Sequence, residues 1–169
     1  MRLRHALTAT AAGLSLAACA SGTQSTTTSN EPARPTWSGP LQPTQQRTGQ
    51  VAVTGQIKAF GTVTITPSEG SLQRMHVYLS VAVPTTNSEQ LRWAVLSGRC
   101  GNGDLALIGY DAFPLIDIGQ NGRGQIEADL PLNMEAEGSY HVNVYLPGGQ
   151  QLDNVLTCAN LKYNSGAPK

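Results

Sequence analysis

Met75, Val77, Leu79, Val81 and Val83 fill five consecutive odd positions, with His76, Tyr78 and Ser80 set between them. Successive side chains of an extended strand point to opposite faces, so this period of two sets one apolar face against a core and one polar face outward. Tyr140, Val142, Val144 and Leu146 repeat the pattern until Pro147-Gly148-Gly149 ends it. Shorter β-type runs lie around them: an alternation from Val51 through Val53 to Gly55, the β-branched Val63-Thr64-Ile65-Thr66 stopped by Pro67, Leu91–Leu96, Leu105–Ile108, Phe113–Ile118, Gln125–Leu130 and Val155–Tyr163. Glu135-Ala136-Glu137 is the only hint of a helical turn, and a loop is favoured there. About eight short strands at this spacing, with no amphipathic helix, predict an all-β chain folded as a single antiparallel Greek-key β-sandwich or barrel. The predicted domain runs over residues 50–165, with 166–169 as a short tail. Its roughly 115 residues suffice for one core.

The chain ahead of this domain has a different texture. Arg2, Arg4 and His5 make a basic start, and Ala6 to Ala18 is apolar or small apart from Thr and Ser. The run is too short to span a bilayer as a helix but has the length of a secretory h-region, so residues 1–18 read as a signal peptide. Residues 20–49 are dominated by Ser, Thr, Gln, Pro and Gly, with Pro32, Pro35, Pro40 and Pro43 among them. Such a composition buries too little apolar surface to offset ordering entropy, which predicts a disordered tether over 19–49. Trp37 is its one large apolar residue, free either to dock on the domain or to stay in solvent.

Leu16-Ala17-Ala18-Cys19 resembles the lipobox of bacterial lipoproteins. The resemblance implies that Cys19 carries a diacylglycerol and becomes the first residue of the mature chain, its amine often acylated as well. Two or more acyl chains give stable anchoring, so the implied partner is the membrane itself. Ala20, where an Asp would signal inner-membrane retention in that family, implies the outer membrane. The competing reading is an ordinary cleaved signal that contains a Cys. Cleavage would remove Arg2 and Arg4 from the eleven Lys and Arg, leaving nine against eleven Asp and Glu. With no basic block left, a phosphate-tracking surface is not expected, and nucleic acid is excluded as a partner.

With Cys19 assigned to lipid, Cys100 and Cys158 remain as a pair that an oxidising envelope would join. The alternatives are two buried free thiols or a Cys–Cys metal site, the latter without a nearby Cys or His to complete a set of four. Segments around this pair resemble the copper/zinc superoxide dismutase fold and, more closely, its metal-free relatives among secreted bacterial proteins, including the chordin-type domains. The matching segments are Val53-Thr54-Gly55-Gln56-Ile57, Leu91 through Cys100, Asn121-Gly122-Arg123-Gly124-Gln125-Ile126, Tyr140 through Tyr145, and Thr157-Cys158-Ala159-Asn160-Leu161. Active dismutases carry a His-x-His pair on the central strand, and the resemblance places Ala94 and Leu96 at those positions. It places Tyr145 at the late-strand copper position. Copper needs imidazole nitrogens to set its geometry and redox behaviour. Between Cys100 and the Gly-rich turn stand Asp104, Asp111 and Asp117 but no His. The resemblance therefore implies a dismutase-like domain without its metal, and no cofactor is expected.

Other chemistry finds little support. His76 and His141 occupy the polar phase of their strands; on neighbouring strands they could meet and bind a metal, and otherwise each faces solvent. No Gly-x-Ser-x-Gly elbow is present, and neither Ser97 nor Ser139 has a His base at motif spacing. Asp111, Asp117, Glu127 and Asp129 read as solvated charges rather than an acid–base pair. Gly101-Asn102-Gly103-Asp104 lacks the ligands of a phosphate or calcium loop and reads as a tight turn. Aromatic and Arg residues of the kind found in binding hot spots remain, with Trp93 and Phe113 assigned to the core. Arg92, Tyr110, His141 and Tyr145 form the expected binding surface. The sequence thus predicts a non-catalytic envelope lipoprotein with a binding or structural role and a protein or glycan partner. The alternative is a divergent metal-binding protein or dismutase-like enzyme with displaced ligands.

Overall fold

A computed structural model describes residues 34–44, 58–71, 73–84, 89–102, 105–146 and 155–166. The leader, Cys19 and the Val53–Ile57 segment lie outside the described residues. Among the described residues nine strands are formed: β1 (Thr36–Pro43), β2 (Phe60–Pro67), β3 (Met75–Ala82), β4 (Glu89–Ser97), β5 (Ile116–Ile118), β6 (Arg123–Leu130), β7 (Tyr140–Tyr145), β8 (Val155–Asn160) and β9 (Lys162–Asn164). All pair antiparallel, in the order β5-β4-β7-β8-β1-β2-β3-β6, with β9 added to β1. The two ends of this path, β5 and β6, are joined by a tight turn in which Gly119 N–H donates to the Arg123 carbonyl. At Gly124 an added Cβ would sit 2.6 Å from the Asp117 carbonyl oxygen, so β6 lies directly against β5. Eight antiparallel strands therefore curl into a nearly closed barrel. β7 returns past β5 and β6 to pair with β4, which is the Greek-key connection.

The interior is built from the period of two. Met75, Val77, Leu79 and Val81 of β3 are all buried, while the residues between them are half-buried. Register carries the same face round the barrel through Val63 and Ile65 to Trp37 and Leu41, and on the far side through Leu91, Trp93, Val95, Val142 and Val144.

Several expected boundaries move. Leu105–Ile108 is not a strand and makes only an isolated bridge, Leu96 with Ala106. The Phe113–Ile118 run shortens to β5, because Tyr110–Ala112 forms a single 3-10 turn just ahead of it. Val155–Tyr163 divides at Leu161 into β8 and β9, and Ala136-Glu137 forms a turn.

The largest correction lies upstream. Thr36–Pro43, assigned by composition to the tether, is β1 and pairs with β2, β8 and β9. Only Trp37 and Leu41 are fully buried along it, so its apolar content is too sparse to register in the average. Its first residues pair with β9 and its last with β8. Gly39 sits at that change of partner, where an added Cβ would be 2.3 Å from the Asn160 carbonyl oxygen. Trp37 is docked, 5 % exposed, against Tyr163 with ring centroids 4.9 Å apart.

Two outcomes follow for the N-terminal boundary. A chain starting at Gln50 should lose the cooperative denaturant transition that the full chain shows by Trp93 fluorescence. Trp37→Ala should lower stability by roughly 3–5 kcal/mol. Trp37→Phe should lower it much less, because the buried Nε1 has no hydrogen-bond partner among the described residues.

Candidate functional site

The outward face of β4 and β7 carries most of the residues singled out above. Arg92, Ala94 and Leu96 of β4 stand opposite Tyr145, Asn143 and His141 of β7, and Cys158 and Asn160 of β8 continue the face. An outward face of a barrel ordinarily meets water, yet Ala94, Leu96, His141, Asn143 and Tyr145 are all buried. The cover is the long connection from β4 to β5. Its start is fixed by the Cys100–Cys158 disulfide and by the Cys100 N–H, which donates to Asn160 Oδ1 at 2.8 Å. Its middle extends β4, with Leu107 N–H donating to the Val95 carbonyl and Ser97 N–H to the Leu105 carbonyl. Tyr110 then lies over Tyr145, rings edge to face at 6.1 Å and hydroxyls 3.5 Å apart. Its end is tied where Trp93 Nε1 donates to the Pro114 carbonyl at 2.6 Å.

This geometry corrects the expected binding surface. His141 and Tyr145 are not surface residues, since the connection seals them against the barrel. The alternation in β7 correctly marks its inner face, but the outer face is buried too. Arg92 and Tyr110 remain at the margin of the cover. Arg92 faces Asp111, Nη1 to Oδ1 3.9 Å, with the Asp111 side chain 99 % exposed. The positions that the dismutase resemblance equates with copper ligands, Ala94, Leu96 and Tyr145, share this one face. Burial pushes the Tyr145 phenol well above its ordinary range, the Tyr110 hydroxyl adds to the shift, and Asn143 opposes it. The phenol is therefore neutral at any physiological pH.

His76 and His141 do not meet. β3 and β7 are separated in the sheet by β2, β1 and β8. His76 instead joins a surface cluster in which Ser68 Oγ donates to Asp129 Oδ1 at 2.6 Å and His76 Nδ1 lies 3.2 Å from the same oxygen. Ser, His and Asp occur together here, but the carboxylate is central and bonds both partners. The serine donates to Asp129 rather than to the imidazole, so the order of a Ser-His-Asp triad is not reproduced. Arg74 also donates to the Asp129 carbonyl, which pins the β2–β3 hairpin to β6. The Ser68 hydrogen bond, helped by His76 and Arg74 and opposed by partial burial, holds the Asp129 carboxyl below its usual range.

A third feature escaped sequence reasoning. An open groove of about 800 Å³ crosses the β5–β6 seam, lined by Ser80, Glu89, Gln90, Asp117, Arg123 and Gln125. Gln90 donates to Asp117 across it at 2.8 Å. These residues come from four strands and carry no shared motif, so no local pattern could have assembled them. Among the described residues, no three His, Cys, Asp or Glu side chains gather as a metal-binding group. Comparison of the chain with protein-family models, with curated proteins and with solved structures returns no match.

Removing the staple should uncover the sealed face. The Cys100→Ser/Cys158→Ser double variant should lose roughly 4 kcal/mol of stability, the chain-entropy value for a loop of this length. Amide exchange should rise in β7 and in Tyr110–Ala112 before it rises in β3. For Asp129, a lowered folded-state pKa means stabilisation that is present above the unfolded carboxylate pKa, about 3.9, and lost as pH falls through the folded value. Wild type should therefore lose more stability than Asp129→Asn on acidification from about pH 5 to about pH 2, as read by the denaturant midpoint.

Proposed function

We propose that this chain is a membrane-anchored envelope lipoprotein, held by lipidated Cys19, whose superoxide dismutase-like β domain is non-catalytic and serves a binding or structural role. The observation that carries this reading is the covered face of β4 and β7. Ala94 and Leu96 offer no donor atoms there, and Tyr145 offers a protonated phenol. One imidazole, His141, is present on that face, which is fewer than copper geometry requires. The chemistry available at the surface is of another kind. Arg92 and Tyr110, at the margin of the cover, are residue types that dominate binding hot spots. The disulfide supports an oxidising envelope compartment. The reading includes no cofactor, no nucleic acid and a partner in the envelope.

Three measurements test it. Cys19→Ser should move the protein from the membrane fraction to the soluble fraction and abolish labelling with radioactive palmitate; retention on the membrane would overturn the lipid anchor. A photo-cross-linking side chain placed at Leu115, beside the margin of the cover, should capture a discrete envelope partner in cells. The same purified chain should remain substoichiometric in metal after dialysis against copper and zinc. Stoichiometric metal lost on His141→Ala would replace this reading with a metal carrier.

A further inference from the structure

Arg92 stands directly across from Tyr145 in the β4–β7 ladder, a register that sets Cβ atoms about 5 Å apart. The Tyr145 hydroxyl is 3.5 Å from that of Tyr110. A guanidinium and two phenols thus gather at one corner of the cover, and all three are donors. Asp111, which follows Tyr110 in the 3-10 turn, is the carboxylate that faces Arg92. Its 3.9 Å approach to Arg92 is too long for a hydrogen bond, and its side chain is otherwise in water. A surface pair of this kind is weak, so an incoming carboxylate with better geometry can displace it. The corner also has an apolar wall. The β4–β5 ladder ends at Leu91 and Ile116, the residues next to Arg92 and Leu115, and Leu115 is 40 % exposed.

We propose that this corner binds the C-terminal carboxylate of a partner polypeptide that ends in an apolar residue, with Asp111 as a built-in competitor for Arg92. The inference rests on the binding role proposed above and names the partner's chemistry. Arg92 supplies the planar fork that matches a carboxylate bidentately, which a lone Asp at 3.9 Å does not satisfy. Tyr110 donates to the same group, and the buried Tyr145 hydroxyl fixes the Tyr110 ring in place. Leu115 and the Tyr110 ring offer apolar area to the terminal side chain. A sugar acid would meet the same cation but leave that area uncovered, so the peptide is the better fit.

The test is an NMR titration of the purified chain with N-acetyl-alanyl-leucine as the free acid and as the amide, following the Arg92 Nε–H and the Tyr110 and Leu115 amides. The free acid should shift all three and bind about ten-fold tighter than the amide. Asp111→Asn should tighten the acid about two- to five-fold, the range of an exposed ion pair. Arg92→Lys should weaken it and Arg92→Ala should abolish it, with unshifted β3 and β6 amides showing that both variants fold. Equal binding of acid and amide, an unchanged affinity in Asp111→Asn, or glucuronate binding as tightly as the peptide acid would each overturn the proposal. If the Leu115 cross-link still captures a partner while the peptide fails, the carboxylate assignment falls and the binding role stands.

Discussion

Among the described residues, the two halves of the sheet, β5-β4-β7-β8 and β2-β3-β6, share ladder hydrogen bonds only through β1. That one strand, eight residues long and containing two prolines, carries the ladder from one half to the other. It does so by changing partners. Residues 36–38 pair with β9, residues 42 and 43 pair with β8, and the whole central stretch pairs with β2. Proline has no N–H to give a ladder and is tolerated in sheets at edges and irregularities. Here the irregularity is the change from β9 to β8, and Pro40 falls inside it. Gly39 beside it lets the chain approach the Asn160 carbonyl more closely than any Cβ would permit. Residues that look like linker are therefore the ones a strand with two successive neighbours requires.

The second dependence runs through the staple. A barrel strand with polar residues outward needs no cover, and His141 and Asn143 would be ordinary surface residues if the β4–β5 connection were short. The connection is long, and Cys100–Cys158 fixes its start on β8. The consequence is a strand, β7, buried on both faces. Asn143 Oδ1 has no hydrogen-bond partner among the described residues. Leaving a buried acceptor unsatisfied costs about 1–3 kcal/mol, which is of the same order as the staple's contribution of roughly 4 kcal/mol. The cover over this face is thus held down by a covalent link together with Tyr110, Trp93 and the edge of β4.

How much of this was legible in the sequence depends on whether the signal is local. The β3 alternation was fully legible, because each odd position meets the core and each even one does not. The inner face of β7 was legible for the same reason. Its outer face was not, because the residues that bury it lie between Gly98 and Leu115 and follow no period. β1 was lost to averaging, with two fully buried side chains in eight residues. The proposed binding corner was half legible. Arg92 and Tyr110 are visible as hot-spot types, but only the β4–β7 register shows that Tyr145 lies behind them and that Asp111 faces the cation. The β5–β6 groove was illegible, since its lining converges only when the ends of the sheet meet.

The same geometry decides where a ligand can act. To reach His141 or Tyr145, a partner must lift a connection that is covalently anchored at Cys100 and hydrogen-bonded along β4. The few kcal/mol this takes would come out of its own affinity, where each 1.4 kcal/mol is about ten-fold in Kd. A partner that stops at Arg92 meets only a loose ion pair with an exposed carboxylate. The margin is thus accessible at small cost, and the face beneath it serves as the rigid platform that fixes Tyr110. Rigid support of that kind improves recognition by cutting the ordering cost of binding. The sealing of this face leaves the rim around Arg92 and Tyr110 as the part a ligand meets first.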